Sequence, residues 1–276
     1  MSVSANPGPS AAPPQRRVAA FFDLDKTLIA KSSTLAFSRP FFDEGLLNRR
    51  AVLKSSYAQF LFLLSGADAD QMDRMRRHIT DMCAGWDVEQ IRSIVDETLD
   101  DIVTPLVFAE AAELIADHTA LGHDVVVVSA SGEEVVTPIA AALGADHSVA
   151  TRMKVSEGKY TGEVDFYCFG TGKVEAIRRL AEQHGYDLSR SHAYSDSSTD
   201  LPMLECVGNP TAVNPDRKLR KAAAERGWPV LTFVDAVAIR RGRARHGSRS
   251  AVAGAAAGLG AMTAGAVAWR LLRRRR

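Results

Sequence analysis

The run Phe21-Phe22-Asp23-Leu24-Asp25-Lys26-Thr27-Leu28 constrains this chain more than any other stretch. Two carboxylates stand two residues apart, directly after the apolar run Val18 to Phe22 and directly before Thr27. An apolar run of that length reads as a buried strand. Asp23 and Asp25 then sit where the chain leaves the carboxyl end of the strand, which is where open α/β sheets place their ligand crevice. Two acids this close repel each other and are costly to desolvate unless a proton or a cation lies between them. The pair predicts a Mg²⁺ site and chemistry on a phosphate group.

Three further polar elements follow in order. Ser129 ends a second apolar run, Asp124-Val125-Val126-Val127-Val128-Ser129-Ala130-Ser131. Lys173 opens an amphipathic helix after Gly170-Thr171-Gly172. The strand-like segment His192-Ala193-Tyr194-Ser195 leads into Asp196-Ser197-Ser198-Thr199-Asp200. The sequence acid pair, Ser, Lys, acid pair resembles the haloacid dehalogenase (HAD) superfamily of phosphohydrolases. Its nearest likeness is to subfamily IB, which contains phosphoserine phosphatase. The run Gly208-Asn209-Pro210-Thr211-Ala212-Val213-Asn214-Pro215-Asp216, followed by Lys218 and Leu219, adds to that likeness, which spans roughly residues 18–235. Gly170-Thr171-Gly172-Lys173 is not a P-loop, because Tyr167 stands where that motif needs its first Gly and Val174 where it needs Ser or Thr.

The pattern of elements predicts an α/β fold. Strands over 18–22, 125–128 and 192–195 alternate with helices over 132–143 and 173–183, which argues for a doubly wound, mostly parallel sheet. A helix from Pro105 to Leu121 is expected, with Pro in its first turn and Gly122 ending it. Residues 148–154 and 160–166 flank Ser156-Glu157-Gly158-Lys159 and read as a hairpin. Residues 31–103 read as helical, interrupted near Pro40 and Gly45, with Val88, Ile91, Ile94, Val95 and Leu99 forming a clear stripe. The resemblance makes this segment a cap inserted after the first strand, with the core formed by residues 18–30 and 104–235.

The resemblance also assigns roles. Asp23 becomes the nucleophile; a carboxylate is already ionised at neutral pH, and its attack on phosphorus gives an aspartyl-phosphate. Asp25 becomes the general acid and base, with its backbone carbonyl facing the metal. Mg²⁺ is held by Asp23, Asp25, Asp196 and Asp200, one of the last two directly and the other through water or a neighbour; Asp200 also reads as a helix-start acid. Ser129 and the backbone N–H of Ala130 bind phosphate oxygens just before a helix start, with Ser131 as a rival or as an N-cap. Lys173 neutralises charge on the phosphoryl oxygens. Thr27, Asn214 and Asp216 support the loops, and Lys26 faces solvent.

Two departures bear on the substrate. Ser32 stands where phosphoserine phosphatases carry the Glu that holds the substrate's amino group. Ser195 and Ser197 flank Asp196 where Gly is frequent. The aromatic residues Phe37, Phe41, Phe42, Phe60 and Phe62, with Arg74, Arg76 and Arg77, suit either a cap core or an amphiphilic substrate such as a lipid headgroup. The expected activity is hydrolysis of a small or amphiphilic phosphate ester. A non-catalytic, membrane-attached phosphate-binding module and a phosphotransferase are the alternatives.

Composition bounds the rest. At 276 residues the chain can hold one sizeable core or a core plus a smaller domain. Arg240 to Arg276 contains ten Arg and no acid, so residues 1–239 are net acidic and residues 236–276 are set apart as an Arg-rich tail. Within it, residues 250–269 carry no charge, and Trp269 beside Arg270 suits a membrane interface. Ala and Gly dominate that stretch, so a helix that spans or lies on a membrane and a disordered basic tail both fit. Nucleic-acid binding has no aromatic interleaving or module behind it. The three cysteines, Cys83, Cys168 and Cys206, form no CxxC pair and read as free thiols in a reducing compartment. Residues 1–17 read as a disordered leader without a secretory core. The expected place is the cytoplasm, with the tail at the inner face of the membrane.

Overall fold

Along the first strand, alternate residues must face opposite sides of the sheet. Ala19 and Phe21 enter one apolar cluster and Ala20 and Phe22 the other. The second strand repeats this, with Val126 and Val128 on one side and Val125 and Val127 on the other. Both faces are therefore covered, which is why these runs are apolar at every position.

The structure, a computed structural model, describes residues 17–46, 77 and 80–234. Within them, β1 (Ala19–Phe22), β2 (Asp124–Gly132), β3 (His147–Ser156), β4 (Lys159–Phe166), β5 (His192–Ser195), β6 (Asn209–Val213) and β7 (Val230–Leu231) form a sheet in the order β4-β3-β2-β1-β5-β6-β7. All neighbours run parallel except β3 and β4, the antiparallel hairpin at one edge. Glu157 and Gly158 turn that hairpin with φ of 51° and 76°, the positive angles that a tight turn between twisted strands requires. The helices are α1 (Ser33–Ala36), α2 (Ser38–Asp43), α3 (Val88–Val103), α4 (Ala109–Ala120), α5 (Glu133–Ala142), α6 (Thr171–His184), α7 (Leu201–Glu205) and α8 (Arg217–Arg226). Residues of α3, α4 and α5 pack on the Phe22 side, and residues of α6, α7 and α8 on the Phe21 side. The expected doubly wound α/β fold is present.

The strand order sets the position of the crevice. From β1 the chain proceeds outward through β2 and β3, then returns to β5 on the other side of β1 and continues through β6 and β7. The reversal falls between β1 and β5, and the loops after these two strands flank the switch point.

Two helix starts differ from expectation. Pro105 lies in a 3₁₀ turn, Thr104–Leu106, and α4 begins only at Ala109. The intervening residues pair with the loop after β1: Ala30 N–H donates to Leu106 O at 2.8 Å and Phe108 N–H to Leu28 O at 3.0 Å. That pairing holds residues 106–108 out of the helix. Helix α5 begins at Glu133, because β2 continues to Gly132.

In the segment expected to be a cap, α3 shows the anticipated stripe. Val88, Ile91, Ile94 and Val95 are buried, and the Asp87 carboxylate caps the helix by accepting from Gln90 N–H at 3.0 Å. Phe37 and Phe41 are also buried; Phe37 stacks on Phe41, whose ring meets Trp86 edge-on. These aromatics form packing contacts in the core. Phe60, Phe62, Arg74 and Arg76 lie outside the described residues, as do residues 1–16 of the leader and the tail. Arg17, expected in the disordered leader, is instead held by backbone pairing, its N–H donating to Gly185 O at 3.1 Å and its O accepting from Asp187 N–H at 2.8 Å. Among the described residues no helix is long and apolar enough to cross a membrane.

Phe22 ties the sheet to α4. It stacks on Tyr194 at 4.6 Å and meets His118 edge-on at 5.9 Å. Phe22→Ala is expected to lower the unfolding free energy by about 3–5 kcal/mol in urea denaturation. A loss below about 1 kcal/mol would mean that this contact does not hold the layers together.

Candidate active site

Three carboxylates and one ammonium meet at the carboxyl ends of β1 and β5. Lys173, in the first turn of α6, donates from Nζ to Asp23 Oδ1 at 2.6 Å and to Asp200 Oδ2 at 2.8 Å. Its side chain is 2% exposed, so the charge is offset by these carboxylates and not by water. Burial alone would lower the Lys173 pKa; Asp200 and Asp23 outweigh it and hold the ammonium above its ordinary value.

The loop after β1 is a tight reversal. Lys26 N–H donates to Ile29 O at 2.7 Å, and both Leu28 and Ile29 N–H reach back to Leu24 O. Lys26 takes a φ of 63° at the bend and is exposed, as its position suggested. The buried Thr27 hydroxyl lies between two carboxylates, 3.3 Å from Asp23 Oδ2 and 3.4 Å from Asp196 Oδ1. These two acids, one from each side of the switch point, offer hard oxygens with the few carboxylates that Mg²⁺ prefers.

Their electrostatics fit a cation. Burial raises Asp23 to about 7 against the pull of Lys173, helped by Asp200 and Asp25. Burial and the neighbouring Asp23 raise Asp196 to about 8. Lys173 is thus one positive charge among more carboxylates than it can balance, and a divalent ion would relieve the excess.

Asp200 is held differently from Asp196. Its Oδ2 accepts from Lys173 and from Ser195 Oγ at 2.7 Å. Ser195 Oγ in turn accepts from Ser197 N–H at 3.2 Å. The Ser195 hydroxyl thus has a use that Gly would lack. Asp200 ends the 3₁₀ turn Ser198–Asp200, and Ser197 caps that turn. Asp216 braces the same loop: its N–H donates to Asp196 O at 2.8 Å, and its carboxylate accepts from Ser198 N–H at 2.7 Å while capping α8. Asn214 brackets Phe233 with two hydrogen bonds.

Asp25 faces the first helices and β2. Its Oδ1 accepts from Ser33 N–H at 2.7 Å and its Oδ2 from Ser131 Oγ at 3.1 Å. Ser33 Oγ lies 2.9 Å from Ser131 Oγ. Burial raises the Asp25 pKa, and the Ser33 and Ser131 hydrogen bonds and Lys173 work against it. Ser131 is therefore an Asp25 partner and not an N-cap; α5 has Gly132 at that position with no side-chain cap. Ser129 Oγ accepts from Ser131 N–H at 3.2 Å, and Ala130 O accepts from Thr151 Oγ1 at 2.7 Å. The β2–β3 register shifts between Val128 and Gly132, which turns residues 129–131 out of the regular ladder.

Sequence reasoning did not single out the Ser33 backbone amide, or the bonds that Ser131 and Ser195 make to acids. Single hydroxyl residues in polar loops carry no signal of which distant acid they reach. Gly172 has a clear reason: a Cβ there would lie 2.2 Å from Tyr167 O. Only Gly permits this approach beside Lys173.

A sequence model of the haloacid dehalogenase-like hydrolases matches residues 20–205. A probable phosphatase from Mycobacterium tuberculosis is 65% identical over 282 residues, covering 99% of this chain and 98% of that protein. A phosphoserine phosphatase from the same organism is 37% identical over 248 residues, covering 89% of this chain and 79% of its own. A crystal structure of a Bordetella pertussis protein of unknown function superposes with a TM-score of 0.69 at 28% identity, covering 81% of this chain and all of that one. The chain belongs to the haloacid dehalogenase-like hydrolase family. Within that family it is a hydrolase of the phosphatase type.

Lys173→Met would leave Asp23 and Asp200 buried without their cation. Its unfolding free energy at neutral pH, without divalent ions, is expected to fall by about 3–5 kcal/mol. Denaturant titration checks this, and unchanged stability would contradict the electrostatic account.

Proposed function

We propose that the protein is a Mg²⁺-dependent phosphomonoesterase that works through an aspartyl-phosphate on Asp23. The observation that carries this reading is the meeting of Asp23, Lys173, Asp196 and Asp200 at the switch point, where Lys173 Nζ lies 2.6 and 2.8 Å from Asp23 and Asp200 and Thr27 Oγ1 lies 3.3 and 3.4 Å from Asp23 and Asp196. Structural carboxylates seldom gather so densely around one buried ammonium.

Asp23 and Asp196 would hold Mg²⁺, with the Asp25 backbone carbonyl completing the protein ligands. When bound, the ion would supply positive charge that keeps the carboxylates ionised and balances the phosphoryl oxygens. Asp200 keeps Lys173 in place and acts on the metal only through its neighbours. An Asp23 carboxylate oxygen attacks phosphorus while the bond to the ester oxygen breaks. Asp25, whose pKa burial raises, gives its proton to that departing oxygen. The Asp25 carboxylate then takes a proton from water, whose oxygen attacks the phosphorus of the aspartyl-phosphate. The bond to Asp23 breaks, and inorganic phosphate leaves. Lys173, Ser129 Oγ and the Ala130 amide hold the phosphoryl oxygens through both steps.

Residues 18–30 and 104–235 would be the catalytic core, and residues 31–103 the cap that selects the ester. Ser32, Ser33 and Thr34 place hydroxyl-bearing residues beside Asp25, and Ser32 is neutral where phosphoserine phosphatases carry Glu. This favours a small phosphate ester held by hydrogen bonds over one held by its ammonium group. The burial of Phe37 and Phe41 leaves these two aromatics to the core and lends nothing to a lipid headgroup.

Hydrolysis of an aryl phosphate is expected to require Mg²⁺ and to stop on chelation. Asp23→Asn should reduce turnover to background, and Asp25→Asn should reduce it about 10²–10⁴-fold. Full activity in Asp23→Asn would refute the mechanism. A panel of small esters including phosphoserine, with product analysis in the presence of alcohol acceptors, tests the substrate class and separates hydrolysis from transfer.

A further inference from the structure

The opposite end of the sheet carries a second cluster of chemistry-bearing side chains. His118 lies in the last turn of α4, His123 directly precedes β2, and His192 opens β5. One ring nitrogen from each lies within 4.8 Å of the other two. His118 Nδ1 and His123 Nδ1 are 2.9 Å apart, and the His118 and His192 rings approach to 4.7 Å. His118 is buried, whereas His123 and His192 are partly exposed, so an ion could reach the cluster from solvent.

We propose that His118, His123 and His192 form a binding site for a borderline divalent ion, Zn²⁺ or a close relative such as Co²⁺, distinct from the carboxylate site. Zinc–nitrogen bonds of about 2.0–2.1 Å in a tetrahedron put neighbouring nitrogens roughly 3.4 Å apart; the His118 and His123 nitrogens, at 2.9 Å, need to part by only about half an ångström, and all three ligand atoms lie within 4.8 Å of one another. Three imidazoles and an open fourth position suit such an ion and are poor ligands for Mg²⁺. The strand β5 separates the two sites, His192 at its start and Asp196 just beyond its end, about 13 Å of extended chain.

The protonation chemistry agrees. Two Nδ1 atoms at hydrogen-bond distance cannot both carry a proton. A metal bound to both requires only the single proton between them to move to Nε2 of its own ring, with no net gain or loss. His118 Nε2 already lies 2.8 Å from the Tyr194 hydroxyl oxygen, which would then accept its N–H. An outer acceptor of this kind fixes the tautomer and the ring orientation of a metal-bound His. Burial lowers the pKa of all three rings, that of His118 to about 4, which favours the neutral, ligand-competent form. Arg190, exposed near His123, disfavours added positive charge there. Metal binding would clasp the α4–β2 turn to the start of β5. This inference goes beyond the phosphatase reading and does not depend on it.

Full-length protein stripped of metals, then held in excess Mg²⁺, should bind one equivalent of Zn²⁺ by calorimetry. Co²⁺ should give the intense visible absorption of a four-coordinate site, and either ion should raise the Tm. His123→Gln and His192→Gln should each weaken binding at least about tenfold, and Tyr194→Phe about 10–100-fold. His118 is left intact because its burial makes a folding defect the first consequence of changing it. The proposal is overturned if wild-type protein binds neither ion, or if binding persists in the His123→Gln/His192→Gln double variant. Binding that disappears in Asp196→Asn but survives both His variants would place the ion at the carboxylates and equally overturn it.

Discussion

A buried ammonium between two buried carboxylates fixes the rest of this molecule. Lys173 can be 2% exposed only because Asp23 and Asp200 stand within 2.8 Å of Nζ. Removing any one of the three would leave uncompensated charge in a low-dielectric interior. The three residues are far apart in sequence and ride on different elements, so the ion pair also fixes how β1, α6 and the loop after β5 sit together. Gly172 serves the same end by letting the backbone before Lys173 pass close to Tyr167 O.

The site is assembled from strand ends and braced from behind. Thr27 links the two sides of the switch point, Ser195 holds Asp200, and Asp216 holds the loop that carries Asp196. The braces donate hydrogen bonds to acids or to backbone, so the carboxylates are oriented before any ion or substrate arrives. Electrostatic catalysis of phosphoryl transfer depends on such orientation. Burial raises the pKa values of Asp23 and Asp196, and the neighbouring carboxylates add to it.

Much of this was legible in the sequence. Strands buried on both faces must be apolar throughout, so β1 and β2 announced themselves and located Asp23 and Asp25 beyond the end of β1; Ser129, expected to end β2, lies within it, since the strand runs on to Gly132. The helical period of 88–99 gave α3, and the Glu157-Gly158 turn gave the hairpin. Other features were hidden because they depend on partners distant in sequence. Pro105 looked like a helix start, but pairing of 106–108 with the β1 loop delays α4 to Ala109. Ser195 looked like a departure and Ser131 like an N-cap until their acid partners were in view. Which of Asp196 and Asp200 sits directly on the metal was open in the sequence; in the structure Lys173 and Ser195 engage Asp200 Oδ2. The histidine cluster left no signal because His192 joins His118 and His123 only through the β1–β5 pairing and the packing of α4. The charged tail and most of the segment 47–79 lie outside the described residues.

The central claim is that Asp23, held by Lys173, becomes covalently phosphorylated during turnover. Acid quenching of the enzyme within one turnover of an aryl phosphate in Mg²⁺, followed by mass spectrometry of the peptide containing Asp23, tests it directly. The account predicts a phosphoryl adduct on Asp23 that forms and decays with turnover. An enzyme that hydrolyses the ester with no adduct on Asp23, or with the adduct on another side chain, would contradict it.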